Sequence, residues 1–253
     1  MSELVPFEAG GYAYLPAYFQ YSAGVVALPG YFIERVVFSR PLPLADAFAF
    51  IESHLRARGR PFAAFAQCEL RAAEPFSEQG FIDFNRAYVG KLTDWGIFRD
   101  EINPVARTNV CPRYGAPPAP SMNGFAYTMP AAGEGRGGFM VSGGGDARAG
   151  LAPYPERIVA LNDHSPEGLR EKVRFVVASM NQRLAGLGCA WTQAEQTRAY
   201  TVHDIGALVG EELAAHGVAQ HGVTWHYARP PVVGLVFEMD VAGALSTRFQ
   251  QVD

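Results

Sequence analysis

The sequence predicts an α+β protein built from two tandem copies of one small unit of strands and helices. Three observations carry this expectation. Apolar residues make up 49% of the 253-residue chain, which is enough for a sizeable core and argues against disorder. A Gly/Pro-rich stretch from Pro112 to Gly138 divides the chain near its middle. The order strand, strand, helix, strand, helix, strand can be read on each side of it, and a duplicated unit can bury its open sheet face against its copy. The division is placed between residues 120 and 121, giving units 1–120 and 121–253.

In the first half, Tyr18–Leu28 and Tyr31–Ser39 read as two strands with a Pro29-Gly30 turn between them, a hairpin pattern. After Pro41–Asp46, Phe48, Ile51 and Leu55 recur at helical spacing, predicting a helix through Arg58 with Gly59 as its C-cap. A strand at Phe62–Leu70 follows. A second helix, Gly80–Trp95, carries Phe81, Phe84, Tyr88 and Leu92 on one face, and Val105–Cys111 closes the half as a strand. In the second half, Asn123–Met129 and Gly138–Ser142 read as a hairpin. The helix Pro166–Gly186 has one stripe of Leu169, Val173, Val176, Val177, Met180 and Leu184, and Pro166 suits its first turn. A strand at Gln196–Val202, a helix at Gly206–His216 and closing strands at Val223–Tyr227 and Val232–Val241 complete the pattern. The long helices fall on one side of the strand pattern, so the sheets are expected to be mostly antiparallel with helices on one face.

Composition narrows the partners. The formal net charge is −4, Lys and Arg together number 21, and no block of like charge occurs. Such a surface gives neither a footprint for a nucleic-acid backbone nor a polybasic patch for an anionic membrane. Met1–Pro6 has no secretory pattern, and no apolar run approaches the ~20 residues of a membrane span. Cys68, Cys111 and Cys189 are widely spaced and form no CxxC pair, so neither a disulfide framework nor a zinc site is expected, and a reducing cytoplasm is. Gly133–Gly138 formally matches GxGxxG, but a strand follows it rather than a helix, so it reads as a turn and not as a dinucleotide loop.

Four segments give a family resemblance. Phe84-Asn85-Arg86-Ala87-Tyr88 resembles the Phe-Asn-x-x-Tyr helix of the RidA/YjgF family. Pro104-Val105-Ala106-Arg107-Thr108-Asn109-Val110 resembles its Pro-Ala-Arg-Ser/Thr-x-Val strand. Leu235–Asp240 resembles its closing acidic strand, and Gly138–Gly143 its hydrophobic-Ser-Gly strand end. The resemblance implies two fused RidA/YjgF-like, chorismate-mutase-like units and hydrolysis of an enamine or imine carboxylate without a cofactor or metal. It also implies self-association with a trimer favoured, an arginine that grips the substrate carboxylate and an acid that positions water. Arginine and acid fall in different halves here, so one composite cleft per chain is expected, a layout also similar to the two-domain chorismatases. The substrate class expected is 2-aminomuconate-like or an imino acid. The alternatives are a chorismatase-like hydrolase of an enol-ether dicarboxylate and a non-catalytic small-ligand-binding protein.

The candidate residues follow. Arg107, in an apolar strand, needs either a ligand carboxylate or an ion-pair partner at a domain interface. Glu238 lies in an almost wholly apolar run and is either a general acid/base with a raised pKa or, with Asp240 on the same strand face, a solvated edge carboxylate. Asn109 and the backbone near Ser142 are candidates to polarise the reacting carbon's substituent. Trp225, Tyr227 and Arg229, with His226 among them, form a polar-aromatic cluster expected to set specificity. His221 and His226 lack a third ligand for a metal. Cys111 reads as an inert buried thiol. Asp204 reads as the cap of the helix near Gly206.

Overall fold

The computed structural model describes residues 3–131, 137–150, 152–217, 221–243 and 246–252. The elements run β1 Val5–Phe7, β2 Tyr12–Leu15, β3 Gly24–Ala27, β4 Tyr31–Pro43, α1 Leu44–Ala57, β5 Phe65–Arg71, α2 Glu78–Asp94, β6 Ala106–Pro112, β7 Ser121–Pro130 and β8 Phe139–Gly145. They continue with α3 Tyr154–Arg157, α4 Pro166–Gly186, β9 Gln196–Tyr200, α5 Gly206–Leu208, β10 Thr224–His226, β11 Ala228–Arg229, β12 Glu238–Gly243 and β13 Ser246–Gln250. The strands form a seven-stranded sheet in the order β1-β2-β3-β8-β12-β9-β10 and a six-stranded sheet in the order β11-β6-β5-β7-β4-β13.

The duplication is visible in these orders. The path β4-α1-β5-α2-β6-β7 lays its strands down as β6-β5-β7-β4. The path β8-α4-β9-α5-β10-β12 lays them down as β10-β9-β12-β8. In each, the first two strands joined across the second helix are parallel, β5 with β6 and β9 with β10. Apart from these, only β4 with β13 is parallel among the described pairs of strands, so the sheets are mostly antiparallel as expected.

Sequence pattern explains the layers. Ser77 and Ser165 cap α2 and α4 by accepting the N–H of Gly80 and Gly168 at 3.1 and 3.2 Å. Asp204 likewise accepts the Gly206 N–H at 2.9 Å. The apolar stripe of α4, Val173, Val176, Val177, Met180 and Leu184, packs on Phe139, Val141, Phe237, Met239 and Val241 of the seven-stranded sheet. Phe48, Ile51 and Leu55 of α1 and Tyr88 and Leu92 of α2 pack on Val36, Phe65, Cys68 and Phe125 of the other sheet. Between the sheets the filling includes Ala66, Ala106, Ala126 and Ala242 with Tyr12, Ile33 and Met140. Small side chains there let the two sheets approach closely.

Three expectations are corrected. Leu28–Tyr31 does form a turn, with Tyr31 N–H donating to Leu28 C=O at 3.0 Å and Gly30 at φ 83°. It joins β3 and β4, which belong to different sheets. The strands read as a hairpin at Asn123–Met129 and Gly138–Ser142, β7 and β8, are also split between the sheets. Most of the connecting GxGxxG stretch, Gly133–Arg136, lies outside the described residues. The run Val232–Val241 is strand only from Glu238, and Val223–Tyr227 only over β10, while β11 crosses to pair with β6. A turn signal reports the local reversal and not which strand the chain then pairs with. In consequence the division between residues 120 and 121 does not follow the sheets: β7 pairs with β4 and β5, and β3 pairs with β8.

Candidate active site

The sheets meet along β6 and β8. Ser142 Oγ accepts the Arg107 backbone N–H at 3.0 Å and donates to the Ser22 carbonyl at 2.6 Å, while the Ser22 N–H donates to Val105 C=O at 2.9 Å. Beside this seam, α2 and α4 flank a cavity of about 670 Å³ whose lining includes Arg107, Asn109 and Glu238. The structure thus brings together the arginine of one half and the acid of the other, 131 residues apart (238 − 107).

Arg107 runs beneath α2. Its guanidinium carbon lies 5.0 Å from the Tyr88 ring centre, 5.1 Å from Tyr21 and 5.7 Å from Phe81. Arg107 is 2% exposed, and neither Nη1 nor Nη2 has a hydrogen-bond partner among the described residues. The alternative reading, an interface ion pair, finds no carboxylate among the described residues. Ring faces offset part of the desolvation of a buried cation, but they leave a planar fork of donors unused. That fork fits a carboxylate bound through two parallel N–H bonds. Asn109, two residues along the same strand face, has neither amide atom partnered, and Asn85 Oδ1 on α2 is also unpartnered. All three side chains line the cavity.

Glu238 opens β12. Phe237, Met239 and Val241 enter the core under α4, so Glu238 and Asp240 take the opposite face. Asp146 holds the approach to this strand. Its Oδ1 accepts the N–H of Val236 at 3.0 Å and of Phe237 at 3.2 Å, and its Oδ2 accepts Lys172 Nζ at 3.1 Å, both partners of that pair being fully buried. Gly143 makes room for the carboxyl: a Cβ there would overlap Glu238 Oε1 and lie 3.2 Å from Thr108 Cγ2. Burial, and then the charge of Asp240, push the Glu238 carboxyl up to about 8, against the opposing pull of Arg183 and Arg107. The solvated-edge reading is therefore corrected: Glu238 is 4% exposed and protonated at neutral pH.

Asp240 is a positioning group. It accepts Arg198 Nε at 2.6 Å and Nη2 at 3.0 Å, Tyr200 Oη at 3.0 Å and Thr108 Oγ1 at 2.6 Å. Arg198 also donates to Glu69 at 2.8 Å, and Glu69 accepts Arg35 Nε at 2.7 Å. The Thr108–Asp240 bond spans the sheets. It fixes the strand that carries Arg107 and Asn109 against the strand that carries Glu238.

Other expected residues fall elsewhere. Ser142 is buried in the seam and does not line the cavity. Nor do Trp225, Tyr227 and Arg229: Trp225 and Tyr227 are exposed, Tyr227 stacks on Tyr114 at 5.8 Å, and Arg229 pairs with Glu74. Their alternation suggested one strand, whereas β10 and β11 lie on edges of different sheets. His226 stacks on Tyr200 at 5.0 Å and lines a separate cavity of about 340 Å³. Cys111 is buried, and its thiol is pushed up to about 12, chiefly by burial. Tyr21, Asp146, Lys172 and Arg183 were not legible as site residues. Asn85 was read only as part of the family-like helix segment and not as a site residue.

The cavity lining contains Arg107, Arg148, Arg157 and Arg183 against Glu78 and Glu238. With Glu238 protonated it is a cationic pocket suited to carboxylates.

The fold is that of the chorismatases: a crystal structure of a chorismatase superposes on 88% of this chain and 77% of its own, with a TM-score of 0.51 at 13% identity. A YjgF/YER057c/UK114-family structure from Mycobacterium tuberculosis covers 42% of this chain and 78% of its own at 19% identity, with a TM-score of 0.29. Within the fold, the chain belongs to the 2-aminomuconate deaminase CnbZ family, which it matches over residues 4–248. It is 58% identical over 246 residues to 2-amino-5-chloromuconate deaminase from Comamonas testosteroni, covering 97% of this chain and 98% of that protein. The chain is a deaminase.

Proposed function

We propose that this deaminase hydrolyses a 2-aminomuconate-like enamine carboxylate to ammonia and the 2-oxo acid, without a bound cofactor. The observation that carries the reading is the shared cavity of Arg107, a buried guanidinium with no partner among the described residues, and Glu238, a buried carboxyl that holds its proton at neutral pH. The family and the 58% identical relative, named for aminomuconate and chloroaminomuconate deamination, support the substrate class.

Arg107 binds the carboxylate next to the amino-bearing carbon. Glu238 gives its proton to the enamine's β-carbon, leaving an iminium. The new Glu238 carboxylate takes a proton from water as the water oxygen bonds to the iminium carbon. Glu238 then protonates the nitrogen of the carbinolamine, the C–N bond breaks, and the hydroxyl proton returns to Glu238 as the carbonyl forms. The sum is enamine plus water to ketone plus ammonia. A carboxyl near pKa 8 suits both directions of proton transfer. Asn109 and Asn85 can hydrogen-bond the amino group and the developing hydroxyl.

Purified protein dialysed against a chelator tests this. With 2-aminomuconate it should release ammonia and 2-oxo acid in equal amounts, and water labelled with heavy oxygen should label the new carbonyl. No ammonia release, or dependence on an added metal, would refute the proposal. The reading also places the protein in the cytoplasm, consistent with free Cys68, Cys111 and Cys189. It makes the protein a homotrimer, consistent with exposed Trp225, Tyr227 and Tyr114 beside the edge strands β10 and β11.

A further inference from the structure

Arg183 lines the same cavity as Arg107, the arginine that the resemblance pointed to. It projects from α4, the helix of the second unit, into the cavity that Arg107 enters from the first. Its Nη1 donates to the carbonyls of Ser142 at 2.8 Å and Gly143 at 3.2 Å. Its guanidinium lies over Gly144, where an added Cβ would stand 3.1 Å from both Nη1 and Nη2. A glycine at this place lets the fork lie flat against β8. Among the described residues its side-chain hydrogen bonds are made through Nη1 alone, both to backbone carbonyls, which leaves Nη2 and Nε free. Arg183, Arg107, Tyr21 and Glu238 all line the one cavity, and both cations pull on the Glu238 carboxyl.

The other cations of the lining are less suited. Arg157 is committed to backbone, with Nε on the Ala152 carbonyl at 2.6 Å and Nη1 on the Arg148 carbonyl at 3.0 Å, and it stacks on Tyr154. Arg148 is exposed, so ion pairing there is screened by solvent. Arg183 is half-buried and held in place at one nitrogen.

We propose that Arg183 is a specificity-determining residue that binds the second carboxylate of the substrate, at the end remote from Arg107. The site then selects dicarboxylates over monocarboxylate enamines and imines. This inference rests on the deaminase reading for its reaction, but the selection can be measured without turnover. Muconate and sorbate share a six-carbon diene acid and differ in a terminal carboxylate against a methyl group. Neither carries an amino group, so neither is deaminated.

Calorimetric titration of wild type, Arg183→Gln and Arg107→Gln with both compounds is the test. Wild type should bind muconate about 10- to 100-fold more tightly than sorbate, the range of a charge-assisted contact. In Arg183→Gln the preference should fall to within about threefold, through weaker muconate binding with sorbate unchanged. Arg107→Gln should weaken both ligands. The proposal is overturned if wild type shows no preference or binds neither compound. It is also overturned if Arg183→Gln keeps the preference or weakens both ligands alike, as a purely structural hold on Ser142 and Gly143 would. Loss of the preference in Arg148→Gln instead would overturn it as well. A muconate preference that depends on Arg183, in a protein that releases no ammonia from 2-aminomuconate, would sink the deaminase mechanism and leave this inference standing.

Discussion

In the proposed mechanism Glu238 serves as acid before it serves as base, and its surroundings fit that order. Burial and the neighbouring Asp240 keep the proton on, while Arg183 and Arg107 limit the shift to about 8. For an enamine substrate, kcat/KM should be level below about pH 8 and fall above it as the proton is lost. Stability has its own sign. The folded pKa lies above the ordinary value of 4.5, so the folded state holds a proton that the unfolded state has released, and stability declines as pH rises from about 4.5 to 8. Glu238→Gln should therefore melt higher than wild type at pH 8 and close to it near pH 4.5, and calorimetry checks both limits. Gly143 has a similar burden. Because a Cβ would overlap Glu238 Oε1, Gly143→Ala should lower kcat about 10²-fold or more at intact secondary structure, through a displaced carboxyl. Arg107 and Glu238 were legible because an arginine and a carboxylate within apolar strands are chemically conspicuous. Arg183 was not. It follows the apolar stripe of α4 on its flank, where an arginine ordinarily reaches solvent. Trp225, Tyr227 and Arg229 misled for the converse reason: a dense polar-aromatic cluster also suits a surface.

At the scale of elements, the site depends on contacts that hold β6, β8 and β12 in fixed positions. Asp146 is the clearest of these, since one carboxylate carries two backbone N–H groups ahead of β12 and the buried Lys172. Removing one partner of a fully buried pair leaves a charge uncompensated, at about 3–5 kcal/mol. Lys172→Met should therefore destabilise by about that amount in chemical denaturation, and Lys172→Met with Asp146→Asn by less. The helices were legible because their apolar residues recur at i, i+3 and i+4: α4 runs Pro166–Gly186 as expected, and α2 differs from Gly80–Trp95 by at most two residues. Strand partners were not, because pairing is decided by contacts far apart in sequence. Pro29-Gly30 makes its turn yet hands the chain from one sheet to the other.

For the whole molecule, duplication explains why the halves differ. Two copies of one strand order face each other across a thin, alanine-rich layer, and the cavity forms at one seam between them. The first copy supplies Arg107 and Asn109 there, and the second supplies Glu238 and Gly143. The doubled pattern could be read from the sequence, but the exchange of β7 and β11 across the midpoint could not. On the proposed trimeric assembly, light scattering should give three times the chain mass. A monomer at micromolar concentration would count against that assembly. The central claim is that both halves act on one bound substrate. A double-mutant cycle on ammonia release from 2-aminomuconate tests it most directly. Glu238→Gln should lower kcat about 10²- to 10⁴-fold, Arg107→Gln should chiefly raise KM about 10- to 100-fold, and the combined loss in kcat/KM should be smaller than the product of the two. Full activity in a folded Glu238→Gln protein, or losses that multiply independently, would contradict it.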